Sequence, residues 1–336
     1  VGCKGELNTE RWKMNTMTQQ VLLLVVTQRG LFVLHSDAER TRWTISEPKL
    51  VGREVYHAVL DPRDGRTVWA ASDHKVWGAH VHRSDDLGET WEVLEAAPHF
   101  TDERGLNAVW SITPGPTTEP GTLYAGIEPA GLFVSRDAGR SWQGMESLHA
   151  HPTTSTWQAA GGALALHSVH VDPREPRRLY CALSAGGVYR SDDGGESWKP
   201  INRGVRADFL PIPNPEAGQC VHKLRLHPAR PDRLYQQNHC GTYRTDDRGE
   251  TWSAIPEGLP SEFFFKQKTA YEIVVGTESD VCSSALAVPG RRISAGWIAD
   301  WLQCGTVSSH PAGERGKGRQ RSEERRVGKE CRSRWS

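Results

Sequence analysis

Two short strings place soft metal-binding groups close together in the chain. Cys220-Val221-His222 and His239-Cys240 each set a thiol beside an imidazole. If the two segments run side by side they supply two thiols and two imidazoles, a donor set suited to zinc. The spacing matches no standard zinc framework, and small buried hydrophobes are the alternative role for such cysteines. No other cofactor is suggested. A second set is made of carboxylates. Asp208, Glu216 and Glu128 are candidates for a pair that splits a glycosidic bond, which needs two Asp or Glu about 5–10 Å apart. Asp208, in the Arg203–Phe209 segment, is the first choice, with turn capping as its alternative role. A third set, His57, His74, Asn107, His167, His222 and His239 with Arg203 and Arg206, offers groups that bind polar ligands. These residues act together only if the fold gathers them.

The fold is written in a repeat. Ser84-Asp-Asp-Leu-Gly-Glu-Thr-Trp91 recurs as Ser135–Trp142 (SRDAGRSW), Ser191–Trp198 (SDDGGESW) and Thr245–Trp252 (TDDRGETW). The starts are 51, 56 and 54 residues apart. A degenerate copy, Ser36–Trp43, keeps the first Ser and the Trp and loses the Asp and Gly of the pattern. Each copy follows short runs that read as strands, such as Thr67–Ala71, Thr122–Ala125 and Gly187–Arg190. Earlier still come His57-Ala-Val-Leu-Asp-Pro62, Ser168-Val-His-Val-Asp-Pro173 and Lys223-Leu-Arg-Leu-His-Pro228. A fourth strand after each Trp makes four strands per unit, which predicts an all-β propeller of four-stranded blades.

The repeated turn has a physical reading. Asp86, Asp137, Asp193 and Asp247 can accept hydrogen bonds from amides of their own turn. Gly88, Gly139, Gly195 and Gly249 supply a positive φ. Trp91, Trp142, Trp198 and Trp252 bury large rings between blades, where each indole N–H can find a carbonyl. With Ser84, Ser135, Ser191 and Thr245 opening each copy, the motif staples the third strand to the fourth. Metal binding or catalysis by these Asp residues is the alternative.

This string resembles the Asp-box, or BNR repeat, of sialidase-like and sortilin-like propellers. The opening Val21–Leu34 run, VWGAHVHRSDDLGETW and QNHCGTYRTDDRGETW look like a bacterial group labelled glycosyl hydrolase or exo-sialidase. The resemblance covers about residues 17–262 and implies Asp-boxes on the face opposite the ligand site. It also implies a ring of seven blades, of which about five are present, so an incomplete ring is expected. A sialidase would need an arginine triad, a Tyr–Glu nucleophile pair and an acid Asp. Its R-I-P motif is absent, and Tyr56 has no matching Glu.

Both ends read differently from the middle. Residues 1–16 read as a non-native leader before Met17, and 17–262 as the propeller. After Pro260 no further copy appears, and 263–336 resembles translated sequencing adaptor; a disordered basic tail is the alternative. That tail carries 13 basic and 8 acidic residues, leaving 28 against 33 before it. A mildly acidic body points away from nucleic acid. The longest apolar run, Val21–Val26, is six residues, so no membrane-spanning helix is expected, and the lack of a signal-peptide pattern sets a cytoplasmic expectation.

The repeat register sets the candidates on one face. It aligns His57, Asn107, His167 and His222 at the starts of successive inner strands, with His74 and His239 in adjacent loops. The leading expectation is an uncharacterised propeller that binds a carbohydrate, small-molecule or protein ligand through this His-rich mouth. A paired-carboxylate glycoside hydrolase is the alternative, and a metal-dependent hydrolase using Cys220, His222, His239 and Cys240 a further one. Hydrogen bonding of the histidines to neighbouring blades is the structural alternative. Trp110, Trp157 and Phe209 could stack on sugars or sit in the core.

Overall fold

The computed structural model describes residues 21–37, 40–158, 163–255, 271–276 and 282–286, the last two spans as backbone strands. The expectations for residues 1–16, and for the tail apart from those two strands, lie outside the described residues.

Short strands split by Gly, Asp and Pro turns leave little room for helix. Among the described residues the helical pieces are Glu146–His149 and the 3₁₀ turn Pro152–Thr156. Strands β4 (Glu54–Leu60), β5 (Val68–Asp73), β6 (His80–Ser84) and β7 (Glu92–Val93) form one antiparallel sheet in that order. The pattern repeats in β8 (Ala108–Pro114), β9 (Leu123–Glu128), β10 (Gly131–Ser135) and β11 (Gln143–Gly144). It repeats again in β12 (Leu166–Val171), β13 (Leu179–Leu183), β14 (Gly187–Ser191) and β15 (Lys199–Pro200). The fifth copy is β16 (Val221–Leu226), β17 (Leu234–Asn238), β18 (Gly241–Thr245) and β19 (Ser253–Ala254). The first blade is β1 (Val21–Thr27), β2 (Gly30–Ser36) and β3 (Trp43–Ile45), with β20 (Tyr271–Gly276) paired to the inner edge of β1 and β21 (Cys282–Leu286) beyond it. The all-β, five-blade propeller expected from the repeat is what the chain forms.

The four boxes behave alike. In the second blade Asp86 Oδ1 accepts from Ser84 Oγ at 2.7 Å and from Thr90 N at 2.8 Å, while Ser84 Oγ accepts from Gly88 N at 2.8 Å. The Gly139, Gly195 and Gly249 amides reach Ser135, Ser191 and Thr245 in the same way, at 2.8, 2.8 and 3.0 Å. Gly88, Gly139, Gly195 and Gly249 have φ of 93°, 83°, 93° and 89°, a region an L side chain rarely adopts. These hydrogen bonds hold the box aspartates below the ordinary carboxylate range, to about 2 at Asp86, Asp137 and Asp193. In each turn the aspartate, the Ser or Thr hydroxyl and the glycine amide are thus tied into one hydrogen-bond set. The degenerate first copy is better preserved than its sequence indicates: Asp37, one position early, accepts from Thr41 N and Thr41 Oγ1, both at 2.8 Å.

Each box tryptophan closes a seam between two sheets. Trp91 packs with Val33 and Leu31 of the first blade and Val55 and Val68 of the second. Trp142, Trp198 and Trp252 take the same place at the next three seams. The indole hydrogen bond is less regular than expected. Trp91 donates to Gly88 O and Trp252 to Ile201 O, whereas the Trp142 and Trp198 nitrogens have no partner. Packing at the seam is the constant feature: Trp198 and Trp252 are buried and Trp91 and Trp142 half-buried, and the apolar contact outweighs one unmade hydrogen bond of about 1–3 kcal/mol.

The inner strands carry the feature that matters most for function. All four of β4, β8, β12 and β16 break register at one place, between Val55 and His57, Val109 and Ser111, Leu166 and Ser168, and Val221 and Lys223. Each break sets one extra residue against the second strand: Tyr56, Trp110, His167 and His222. A β-bulge of this kind re-aims its side chain out of the alternating pattern.

Candidate functional site

The bulge changes the expected ring of mouth residues. The sequence register groups His57, Asn107, His167 and His222. The structure groups Tyr56, Trp110, His167 and His222, because the bulge lies six residues before Pro62, Pro116, Pro173 and Pro228 in every blade. Asn107 precedes its strand, where its amide donates to Glu128 O at 2.8 Å. His57 lies one position past the bulge and faces the channel.

At the second and third blades the re-aimed residues form an aromatic pair. The Tyr56 and Trp110 rings lie 5.2 Å apart and are tilted by 54°. Trp110 Nε1 donates to Glu128 Oε2 at 2.9 Å, so the ring and the carboxylate hold each other in place. Glu54 and Asp73 sit opposite one another at the end of the β4–β5 ladder. Burial, then the charges of Glu54, Asp73 and Glu128, push the Tyr56 hydroxyl up to about 12. Three carboxylates thus surround one phenol. Burial and the neighbouring Asp73 charge also raise the Glu54 carboxyl, which favours its protonated form. Glu54, Asp73 and Tyr56 in this role are absent from the sequence expectation. The signal that would have found them is the count back from the Pro of each inner strand.

The histidines of the inner strands serve the seams. His57 Nδ1 accepts from Ile112 N at 3.4 Å, and His167 Nε2 bonds Val221 O at 2.8 Å, in each case across to the next blade. Both are buried. His170 and Thr113 make the same kind of link, to Leu224 O at 2.9 Å and Val169 O at 3.1 Å. Below the bulges runs a cavity of about 610 Å³. Its walls come in two layers of four, His57, Ser111, Ser168 and Lys223, then Val59, Thr113, His170 and Arg225. The two-residue period of a strand gives this layering. His74 also has a local duty: its Nδ1 accepts from Val76 N and Trp77 N at 3.0 and 3.3 Å, and its ring lies 4.3 Å from that of Trp77, tilted by 39°, with Trp77 67% exposed.

The fifth blade holds the remaining candidates. Cys220, His222 and His239 offer donor atoms all within 4.8 Å of one another. Asp208 is ion-paired to Arg206 at 2.8 Å, and its amide donates to Cys240 Sγ at 3.3 Å. Arg203 is exposed and its carbonyl accepts from Trp252 N. Glu216 is exposed, and its carbonyl accepts from Asn202 Nδ2 at 2.9 Å. The three carboxylates expected to act together are thus distributed: Glu128 joins the Tyr56 cluster, while Asp208 and Glu216 belong to the long loop of residues 202–219.

The BNR/Asp-box repeat profile matches residues 189–200, the strand end and box of the fourth blade. The other three boxes carry the same bonds. The chain is a β-propeller that carries BNR/Asp-box repeats. Of the chain, 52% is 28% identical, over 179 residues, to a probable oligoxyloglucan-reducing end-specific xyloglucanase of Neosartorya fischeri, and covers 19% of that protein. It is 26% identical over 196 residues to an oligoxyloglucan-reducing end-specific xyloglucanase of Emericella nidulans, covering 23% of it. The propeller therefore spans about a fifth of the length of the curated relatives it matches. The crystal structure of the GH74 xyloglucanase from Xanthomonas campestris overlays with a TM-score of 0.44 at 17% identity, over 78% of this chain and 50% of that one.

Proposed function

We propose that this propeller is a glycoside hydrolase-like protein that holds a glucan of the xyloglucan class on the Tyr56–Trp110 pair and cleaves it with flanking carboxylates. The observation that carries the reading is the gathering of Glu54, Asp73 and Glu128 around one aromatic pair on the face away from the Asp-boxes. Sugar rings present flat C–H faces to aromatic rings, and polar groups at the edge fix their orientation. Glu54, with its raised pKa, is the proton donor to the departing glycosidic oxygen. Glu128, oriented by the Trp110 N–H, is the opposing carboxylate. The named activity of the matched fungal relatives supports the substrate class.

The test is release of reducing sugar from xyloglucan oligosaccharides by the full chain and by Glu54→Gln and Glu128→Gln. Each variant should lose about 10²–10⁴-fold in kcat while binding the oligosaccharide within a few-fold of wild type. Binding without any turnover in wild type would reduce the site to a lectin-like surface. Failure to bind at all would remove the proposal.

A further inference from the structure

We propose that Cys220, His222 and His239 form a metal site of zinc type at the loop end of the fifth blade. The site stands apart from the Tyr56 cluster and does not rest on the reading above. Its three residues come from two paired strands. Cys220 immediately precedes β16, His222 is the bulged residue of β16, and His239 occupies the turn between β17 and β18. The pairing of Val221 with Asn238 fixes these segments opposite one another, and the register break at His222 turns its imidazole out of the regular alternation. The His222 and His239 rings consequently meet edge to face, 4.5 Å between centroids.

The distances are close to those a metal requires. The donor atoms all lie within 4.8 Å of one another. Zinc bonds of about 2.0–2.3 Å in a tetrahedron set donors roughly 3.4–3.7 Å apart. Closing the cluster therefore takes about 1 Å, which rotation of the exposed His239 side chain can supply. His239 also opens the site to solvent, which gives an entry path and a fourth ligand. One thiolate with two imidazoles favours zinc and its late first-row neighbours over magnesium or calcium. As the sulfur–metal bond forms, the Cys220 proton passes to solvent.

The surroundings complete the arrangement. His222 and Cys220 are half-buried, and the exposed His239 closes the cluster on its solvent side. The Phe209 ring stands edge-on to His239 at 5.6 Å. Cys240, next to His239, is tied to Asn238 Oδ1 through its amide at 2.7 Å and receives the Asp208 N–H on its sulfur. A bound ion would thus brace the β17–β18 turn and, through Asp208, the loop of residues 202–219.

The experiment is a Co²⁺ titration of the chelator-treated full chain, followed by competition with Zn²⁺. The expected result is uptake with a thiolate-to-cobalt charge-transfer band in the near ultraviolet and visible bands of tetrahedral cobalt, both erased by Zn²⁺. The chain has seven cysteines, so uptake alone does not locate the site. Cys220→Ser should abolish the charge-transfer band. His239→Ala, on an exposed turn, should weaken cobalt binding about 100-fold or more while leaving the melting temperature of the metal-free protein unchanged. Cys181→Ser, a buried thiol of the fourth blade, serves as the control that keeps the band. No cobalt uptake, or uptake whose band survives both Cys220→Ser and His239→Ala, overturns the proposal.

Discussion

The two faces of the propeller treat repetition in opposite ways. On the Asp-box face four turns repeat one hydrogen-bond set, with Gly amide to Ser or Thr oxygen distances of 2.8, 2.8, 2.8 and 3.0 Å. On the loop face one register position, the inner-strand bulge, holds Tyr56, Trp110, His167 and His222, a different partner set in each blade. Where every blade must solve the same packing problem, the residues converge. Where the bulge re-aims one position per blade the residues diverge: half-buried Tyr56, Trp110 and His222 carry the candidate chemistry, whereas His167 is buried and bonds the next blade. In a repeat protein the departures at a fixed register are thus better guides to function than the repeat itself.

This contrast can be broken from either side. The largest effect is expected at the seam tryptophans. Trp252→Ala removes a ring that is 4% exposed between the fourth and fifth blades and should destabilise by about 3–5 kcal/mol in urea unfolding. A cost under about 1 kcal/mol would deny the box its structural role. Next come two adjacent glycines of one box. A Cβ would sit at positive φ at both, +79° at Gly194 and +93° at Gly195, but only at Gly195 would it strike a neighbour, Met145 Cε; at Gly194 the nearest atom, Arg177 Nε, is 3.9 Å away. Gly195→Ala should cost about 2–4 kcal/mol and Gly194→Ala about 1 kcal/mol, so comparable losses would show that backbone conformation alone controls the turn.

The acid response is the smallest effect. Hydrogen bonds from their own turns hold the four box aspartates below the ordinary carboxylate value of 3.8, to about 2 at Asp86, Asp137 and Asp193. A depressed folded pKa contributes stability that is whole above the unfolded value and is lost as pH falls through the folded one. The melting temperature should therefore hold above about pH 5 and fall between pH 4 and 2. Asp86→Asn should lower the plateau slightly and flatten that fall; an unchanged slope would remove the box aspartates as its cause.

Much of the fold is legible in the sequence because the box is local. Its eight residues contain the acceptor, the donors and the positive-φ glycine, so spacing alone locates the third and fourth strands. The first copy was harder to read: Asp37 does the work of the missing Asp from one position away, a substitution that only hydrogen bonds reveal. The candidate site was less legible. His57 and His167 carry the residue types of a binding site, yet both are buried and bonded to the backbone of the next blade. Which way an inner-strand side chain points depends on the bulge, and the bulge is a register property shared between two strands. Its sequence mark is the Pro six residues after it, a spacing that shows only when the inner strands of several blades are aligned. The Cys220, His222 and His239 grouping was legible because its members lie on strands that the repeat itself makes neighbours.

The central claim is that the divergent bulge position binds the ligand while the repeated box holds the fold. The most direct test is Trp110→Ala, with oligosaccharide binding followed by calorimetry and stability by urea unfolding on the same protein. Loss of a stacking ring should weaken affinity by about tenfold or more, while the unfolding midpoint shifts far less than in Trp252→Ala. Unchanged affinity, or a loss of stability equal to that of Trp252→Ala, would contradict it.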